Sequence, residues 1–218
     1  MRYSPEHKAE THARIVRKAS VRLRERGAHG VGVADLMKEA GLTHGGFYAH
    51  FESRDALVVE AFGYAIDRSV ERWRKQLSEL APDKRLAAIV DGYLSVQHRD
   101  DPGHGCAIPT LGAEIAREGA KTRKAFAVKL EELVELFAEH IPGVPPKTAR
   151  RRASAMLATL MGAMVMARVA GNGEVSEEFL AAGREAALAA AMGPKPVGAS
   201  TSRAPAKKRS AKPATARR

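Results

Sequence analysis

The chain reads as an all-α protein of nine helices, a short three-helix unit leading a larger six-helix body. Ala, Leu, Arg, Glu and Lys dominate its 218 residues and aromatics make up only 5%, a composition that favours helix over strand. Apolar residues recur at helical spacing from Ile15 to Leu188. Gly, Pro and capping residues punctuate these stripes.

The first helix opens at Ser4-Pro5-Glu6, a cap, a proline at the first helical position and an acid in the first turn. Ile15, Val16, Ala19 and Leu23 form its stripe, and Gly27 ends it. The second helix spans about Val33 to Ala40, with Gly32 at its cap and Val33, Leu36 and Met37 facing inward. Gly41 follows, where a left-handed residue is expected. Thr43 is the predicted cap of a third helix over His44 to His50, anchored by Phe47 and Phe51.

Ser53 caps a long fourth helix, with Asp55 favoured by the dipole of the first turn. Its stripe runs from Leu57 through Trp73 to Leu80, and Ala81-Pro82-Asp83 breaks it. The fifth helix carries Leu86, Ile89, Val90, Tyr93, Leu94 and Gln97 up to the break at Asp100 to Gly105. The sixth runs from Ile108-Pro109 to Gly119, and the seventh carries Phe126, Leu130, Leu133, Val134, Phe137 and Ile141. Pro142 to Pro146 is a firm stop. Residues 148–170 begin basic and become apolar on nearly every face, a pattern that demands burial all round. After Gly171-Asn172-Gly173, Ser176 is the predicted cap of the ninth helix. The last two helices suit a four-helix bundle with a symmetry mate, and so a homodimer.

Charge is unevenly placed. Residues 1–54 carry a net +4, residues 55–192 a net −1, and residues 193–218 a net +8. The high pI is therefore mostly a property of the tail, and the +4 of the first block is the better hint of nucleic-acid contact. The tail is rich in Pro, Ala, Ser, Lys and Arg and lacks the apolar bulk to offset ordering entropy, so it is expected to be disordered. A single cysteine precludes an internal disulfide and a Cys-based zinc site, which suits a reducing cytoplasm. No apolar secretory core opens the chain, and Ala155 to Ala167 is too short to span a bilayer, so no membrane partner is expected.

The stretch Gly41 to Phe51 is a helix end, a tight Gly-containing turn and a second helix, the layout of a helix-turn-helix that docks in the major groove. Its Gly-Gly-Phe-Tyr-Ala-His-Phe run, followed by Ser53-Arg54-Asp55-Ala56-Leu57, resembles the TetR/AcrR family of bacterial transcriptional regulators. The likeness covers about residues 8–62 in motif and the rest in layout. It implies a homodimer whose three N-terminal helices bind a double-stranded DNA operator and whose other six dimerise and enclose a pocket for a small-molecule effector. The units are placed at 1–53, 54–192 and the tail 193–218. Two departures stand out: Val31-Gly32-Val33 offers no hydroxyl entering the second helix, and Gly46 stands where relatives carry Thr, Ser or Ala.

The resemblance puts Tyr48, His50 and Arg54 on phosphate, and Thr43, His44, Gly45 and Gly46 towards the bases. His50 is expected to be partly charged near neutral pH. The competing reading packs Tyr48 on the first helix and leaves Arg54 solvated. Trp73, Tyr93, Cys106, Phe126, Met156, Leu160 and Met164 are candidate pocket walls for a mostly apolar ligand, and core packing accounts for them equally. Cys106 has a second reading, as a thiol sensor of electrophiles or oxidants, because a following helix start and His104 both lower a thiol pKa. His98, His104 and His140 lack helical ligand spacing, so no metal or cofactor is expected. No glycine-rich phosphate loop, HExxH or Gly-x-Ser-x-Gly is present, so no enzyme is expected. An architectural DNA-binding protein acting through the basic tail is the remaining alternative.

Overall fold

The computed structural model describes residues 4–193, and the tail beyond Gly193 lies outside the described residues. These residues form nine α-helices and one 3-10 helix, with no strand among them. In order they are α1 (Pro5–Arg26), α2 (Val33–Glu39), the 3-10 helix (His44–Ala49), α3 (Arg54–Ser78), α4 (Pro82–Tyr93), α5 (Val96–Asp100), α6 (Ile108–Ile115), α7 (Ala120–Ala138), α8 (Pro146–Ala170) and α9 (Glu174–Met192).

Local chemistry sets most ends. The Ser4 hydroxyl accepts from the His7 N–H, and Gly27 closes α1 at φ +80°. Ser53 does the same for α3, accepting from the Ala56 N–H at 3.1 Å. α3 is the spine: its buried face runs from Leu57 through Phe62, Ile66 and Val70 to Leu77. It packs on α1 and α7, which joins the N-terminal unit to the body. α8 and α9 form the tightest pair, because Gly183 lets α9 lie against Ala163.

Several elements differ from the sequence expectation. The third helix is a 3-10 helix ending at Ala49, and Thr43 stands at its cap without a side-chain hydrogen bond. The expected fifth helix divides at Leu94, because the Ser95 hydroxyl accepts from the His98 N–H and starts a new helix there. Leu130 faces solvent rather than the core. Ser176 does not cap the last helix, which starts at Glu174. Its hydroxyl is buried instead, donating to the Ala167 carbonyl and accepting from Arg99.

Burial of α8 is also one-sided. Met156, Leu157, Leu160 and Met164 are core, while Val165, Met166 and Val169 are exposed on the single chain, Val169 by 78%. α8 is long and apolar enough by composition to cross a membrane, yet its inner face is core of this fold.

Candidate DNA interface and effector cavity

The helix-turn-helix is built by a reversal at Gly41. Its N–H donates to the Lys38 carbonyl, the Leu42 N–H donates to the Met37 carbonyl at 2.8 Å, and Gly41 sits at φ +75°. This closure aims the chain into the 3-10 helix. Phe47 and Phe51 are buried and stacked, ring centroids 5.4 Å apart, and His12 of α1 stacks on Phe51 at 4.5 Å. These rings anchor the inner face. The outer face carries Tyr48, 70% exposed, with Thr43, His44 and Gly45 exposed beside it.

His44 meets Tyr48 edge-on at 6.5 Å. A Cβ at Gly45 would meet no neighbour within 4 Å, so its backbone faces open space. Gly46 is half-buried over Met37. Arg54 is half-exposed at the first turn of α3.

His50 differs from expectation in its charge. Its Nδ1 is buried without a hydrogen-bond partner. Burial, then the nearby His12 and Lys8, hold its imidazole below the usual range, which favours the neutral ring near pH 7. His12 itself bonds Glu60 at 2.6 Å.

Behind this unit, α3, α4, α5, α7 and the 101–106 segment line a half-open cavity of about 400 Å³. Trp73, Tyr93 and Cys106 are on its wall with Leu133, Arg72 and His98. Phe126, Met156, Leu160 and Met164 are buried elsewhere: Phe126 lies against Phe62, and the other three are on the inner face of α8. Trp73, Tyr93, Cys106 and Leu133 give the cavity an apolar side, and Arg72, Gln76, Gln97, His98 and Asp101 a polar one, so its lining is mixed.

His98 organises this wall. Its Nδ1–H donates to the Tyr93 carbonyl at 2.6 Å, and its Nε2 accepts from the Cys106 N–H at 3.0 Å. Both nitrogens serve backbone groups, which fixes the neutral tautomer. Burial pushes its pKa down to about 4. The Tyr93 hydroxyl is fully buried beside the Cys106 sulfur, but their contact falls short of hydrogen-bond geometry, so the hydroxyl has no acceptor. Burial is the main reason its pKa lies well above the ordinary range.

Two observations disfavour the thiol-sensor reading of Cys106. His104 turns away to Asp101, 2.9 Å from its Nδ1. Burial then raises the thiol pKa against the pull of the backbone at Ile108 and of Arg24 and Arg168. The thiol is therefore mostly protonated near neutral pH.

The cavity wall reaches the N-terminal unit directly. Arg24 of α1 is buried and donates from Nη1 to the Gly105 carbonyl at 2.8 Å. The Ala28 N–H, just beyond α1, donates to the Glu114 carboxylate of α6. Arg22 ties α1 to α2 through Glu39 at 2.7 Å. Sequence reasoning missed His98, Arg72 and Arg24. The chain carries no signal for them, since a lone His and surface-like arginines on helices read as solvated.

Comparisons with known proteins follow the same division. Residues 15–61 match the family described as bacterial regulatory proteins, tetR family. Residues 82–185 match the C-terminal domain described as transcriptional regulator LmrA/YxaF-like. The chain is 29% identical over 164 residues to the HTH-type transcriptional regulator Rv0196 of Mycobacterium tuberculosis H37Rv, covering 72% of this chain and 83% of that protein. It is 27% identical over 184 residues to the HTH-type transcriptional repressor DhaR of Mycobacterium sp. strain GP1, covering 80% and 90%. The crystal structure of a TetR transcriptional regulator from Chloroflexus aurantiacus superposes with a TM-score of 0.68 at 25% identity, over 83% of this chain and 95% of that one.

Proposed function

We infer that this chain, which belongs to the TetR family of bacterial transcriptional regulators, acts as a cytoplasmic homodimeric repressor released from a palindromic operator by a small molecule. The observation that carries this reading is the Arg24–Gly105 bond. It ties the rim of the cavity to the helix that supports the reading head. A ligand that displaces the 101–106 segment thereby shifts α1, and its differential affinity for the two head positions is the switch.

The functional units on this reading are 1–53 for DNA and 54–192 for effector and dimer. Tyr48, His50 and Arg54 take phosphates. Thr43, His44, Gly45 and Gly46 face the bases. With two glycines there, specificity rests on DNA shape and head spacing more than on side-chain readout. The exposed apolar stripe of α8, continued by Val175 on α9, supports an isologous interface with a second copy. The repressor name of DhaR supports repression over activation.

Selection of bound DNA from a random pool tests the reading. The wild type enriches a palindrome, and a Tyr48→Ala variant enriches none. Absence of any enriched palindrome with the wild type defeats it. Sedimentation of a Val169→Asp variant tests the dimer, with a monomer expected.

A further inference from the structure

We propose that the effector is an acidic amphiphile, its carboxylate or phosphate-ester head in the groove between α1 and α3 and its apolar body in the adjoining cavity. The proposal rests on the regulatory reading only for its consequence at the operator; binding can be tested without DNA.

The groove is about 740 Å³ and lies beside the cavity, with Ser69, Arg72, Gln76 and His104 lining both. Arg24 forms part of its floor. This guanidinium is only 5% exposed, yet all its hydrogen bonds go to uncharged oxygens: the Ser20 carbonyl at 2.9 Å, the Ser20 hydroxyl at 3.1 Å and the Gly105 carbonyl at 2.8 Å. Buried cations are ordinarily paired with an anion, and among the described residues no carboxylate pairs with this one. Its five N–H groups leave donors beyond those three bonds.

The neighbouring charges make the imbalance worse. Arg72 faces Arg24 from α3 and opposes its charge, while among the described residues it hydrogen-bonds the His104 carbonyl at 3.1 Å. Arg17 and Lys75 line the same groove and form no ion pair among the described residues. The carboxylates nearby offset this only in part: Glu71 is held by Arg68 at 2.5 Å, while Asp101, bonded to His104 at 2.9 Å, attracts Arg24 without pairing with it. Glu79 is the remaining acid of the groove. A groove with this excess of cations in a partly enclosed setting recruits an anion.

The cavity supplies the other half. Trp73 and Leu133 offer an apolar wall past Arg72. Its volume of about 400 Å³ is within the range of small-molecule pockets. A head bridging Arg17 or Arg24 on α1 to Arg72 or Lys75 on α3 draws the two helices together. The ligand then binds one head position better than the other, which is the requirement for a switch.

The test is calorimetric titration of the full chain, without DNA, with decanoate, decyl phosphate, decanol and inorganic phosphate. The acidic chains should bind at least about tenfold tighter than decanol, and an Arg72→Gln/Lys75→Gln double variant should lose about tenfold for them while decanol is unchanged. Both substituted residues are exposed, so folding is little affected. The tighter of decanoate and decyl phosphate identifies the head. Equal binding of decanol, inorganic phosphate binding as tightly as decyl phosphate, unchanged affinities in the variant, or no binding at all each overturn the proposal. A failed operator selection alongside a positive titration defeats the repressor reading alone.

Discussion

Arg24 and Gly105 lie 81 residues apart in sequence, yet the guanidinium of one holds the carbonyl of the other at 2.8 Å. The same peptide unit donates its N–H, that of Cys106, to His98, so it is pinned on one side by α1 and on the other by the body.

Removing the pin should cost stability. Burial pushes the Arg24 pKa down to about 10 from 12.5, a penalty of roughly 3 kcal/mol on the charged form. Three bonds from a charged donor return about 1.5–3 kcal/mol each, so the bonds exceed the penalty by roughly 1.5–6 kcal/mol, part of which a buried Met side chain would recover. Arg24→Met is expected to lower unfolding free energy by roughly 1–3 kcal/mol in urea titrations. An unchanged midpoint would show that the bonds merely compensate the burial.

Acid should weaken the fold through His98. Its folded pKa is about 4 against 6.5 unfolded, so the unfolded state binds the proton first as pH drops. The stability that the neutral ring contributes is present above pH 6.5 and lost as pH falls towards 4, by about 2–3 kcal/mol. His50 and His140 are shifted the same way, so the comparison is between wild type and His98→Gln. The variant should show a flatter stability profile between these pH values. Parallel profiles would rule out His98 as the source.

The contact of α9 with α8 should not tolerate a methyl group. A Cβ at Gly183 would stand 2.4 Å from the Ala163 Cβ and 3.0 Å from Leu94 Cδ1. Gly183→Ala is expected to cost about 1–3 kcal/mol through overpacking. Adding Ala163→Gly should recover part of that loss in a double-mutant cycle. Additive losses would mean that the helices do not meet there.

Substitution of Tyr48 should separate folding from DNA binding. Its side chain is 70% exposed, so Tyr48→Ala should change stability by less than about 0.5 kcal/mol. Affinity for a selected operator should fall at least about tenfold, and Tyr48→Phe should share the loss if the hydroxyl takes a phosphate. Full affinity in both variants, measured by fluorescence anisotropy, would remove Tyr48 from the interface.

Local signals in the sequence carried the N-terminal unit well. Ser4 and Ser53 cap where their hydroxyls reach an N–H within three residues, and Gly27 and Gly41 take the positive φ their turns need. The spacing of Phe47 and Phe51 placed the inner face of the helix-turn-helix. Periodicity misled where a hydroxyl had two uses. Ser95 begins a helix inside an apolar stripe, while Ser176 serves Arg99 and the Ala167 carbonyl instead of a cap.

By itself, then, the sequence determined the helical class, most helix ends and the aromatic anchors of the reading head, because those depend on neighbours within about one helical turn. Only the tertiary structure decided what fills the space behind it. Burial kept the Cys106 thiol protonated and His98 neutral, and it left Arg24 without a paired counter-ion, since desolvation depends on which distant elements close over a side chain. Those same distant elements joined a cavity of mixed lining to a cationic groove.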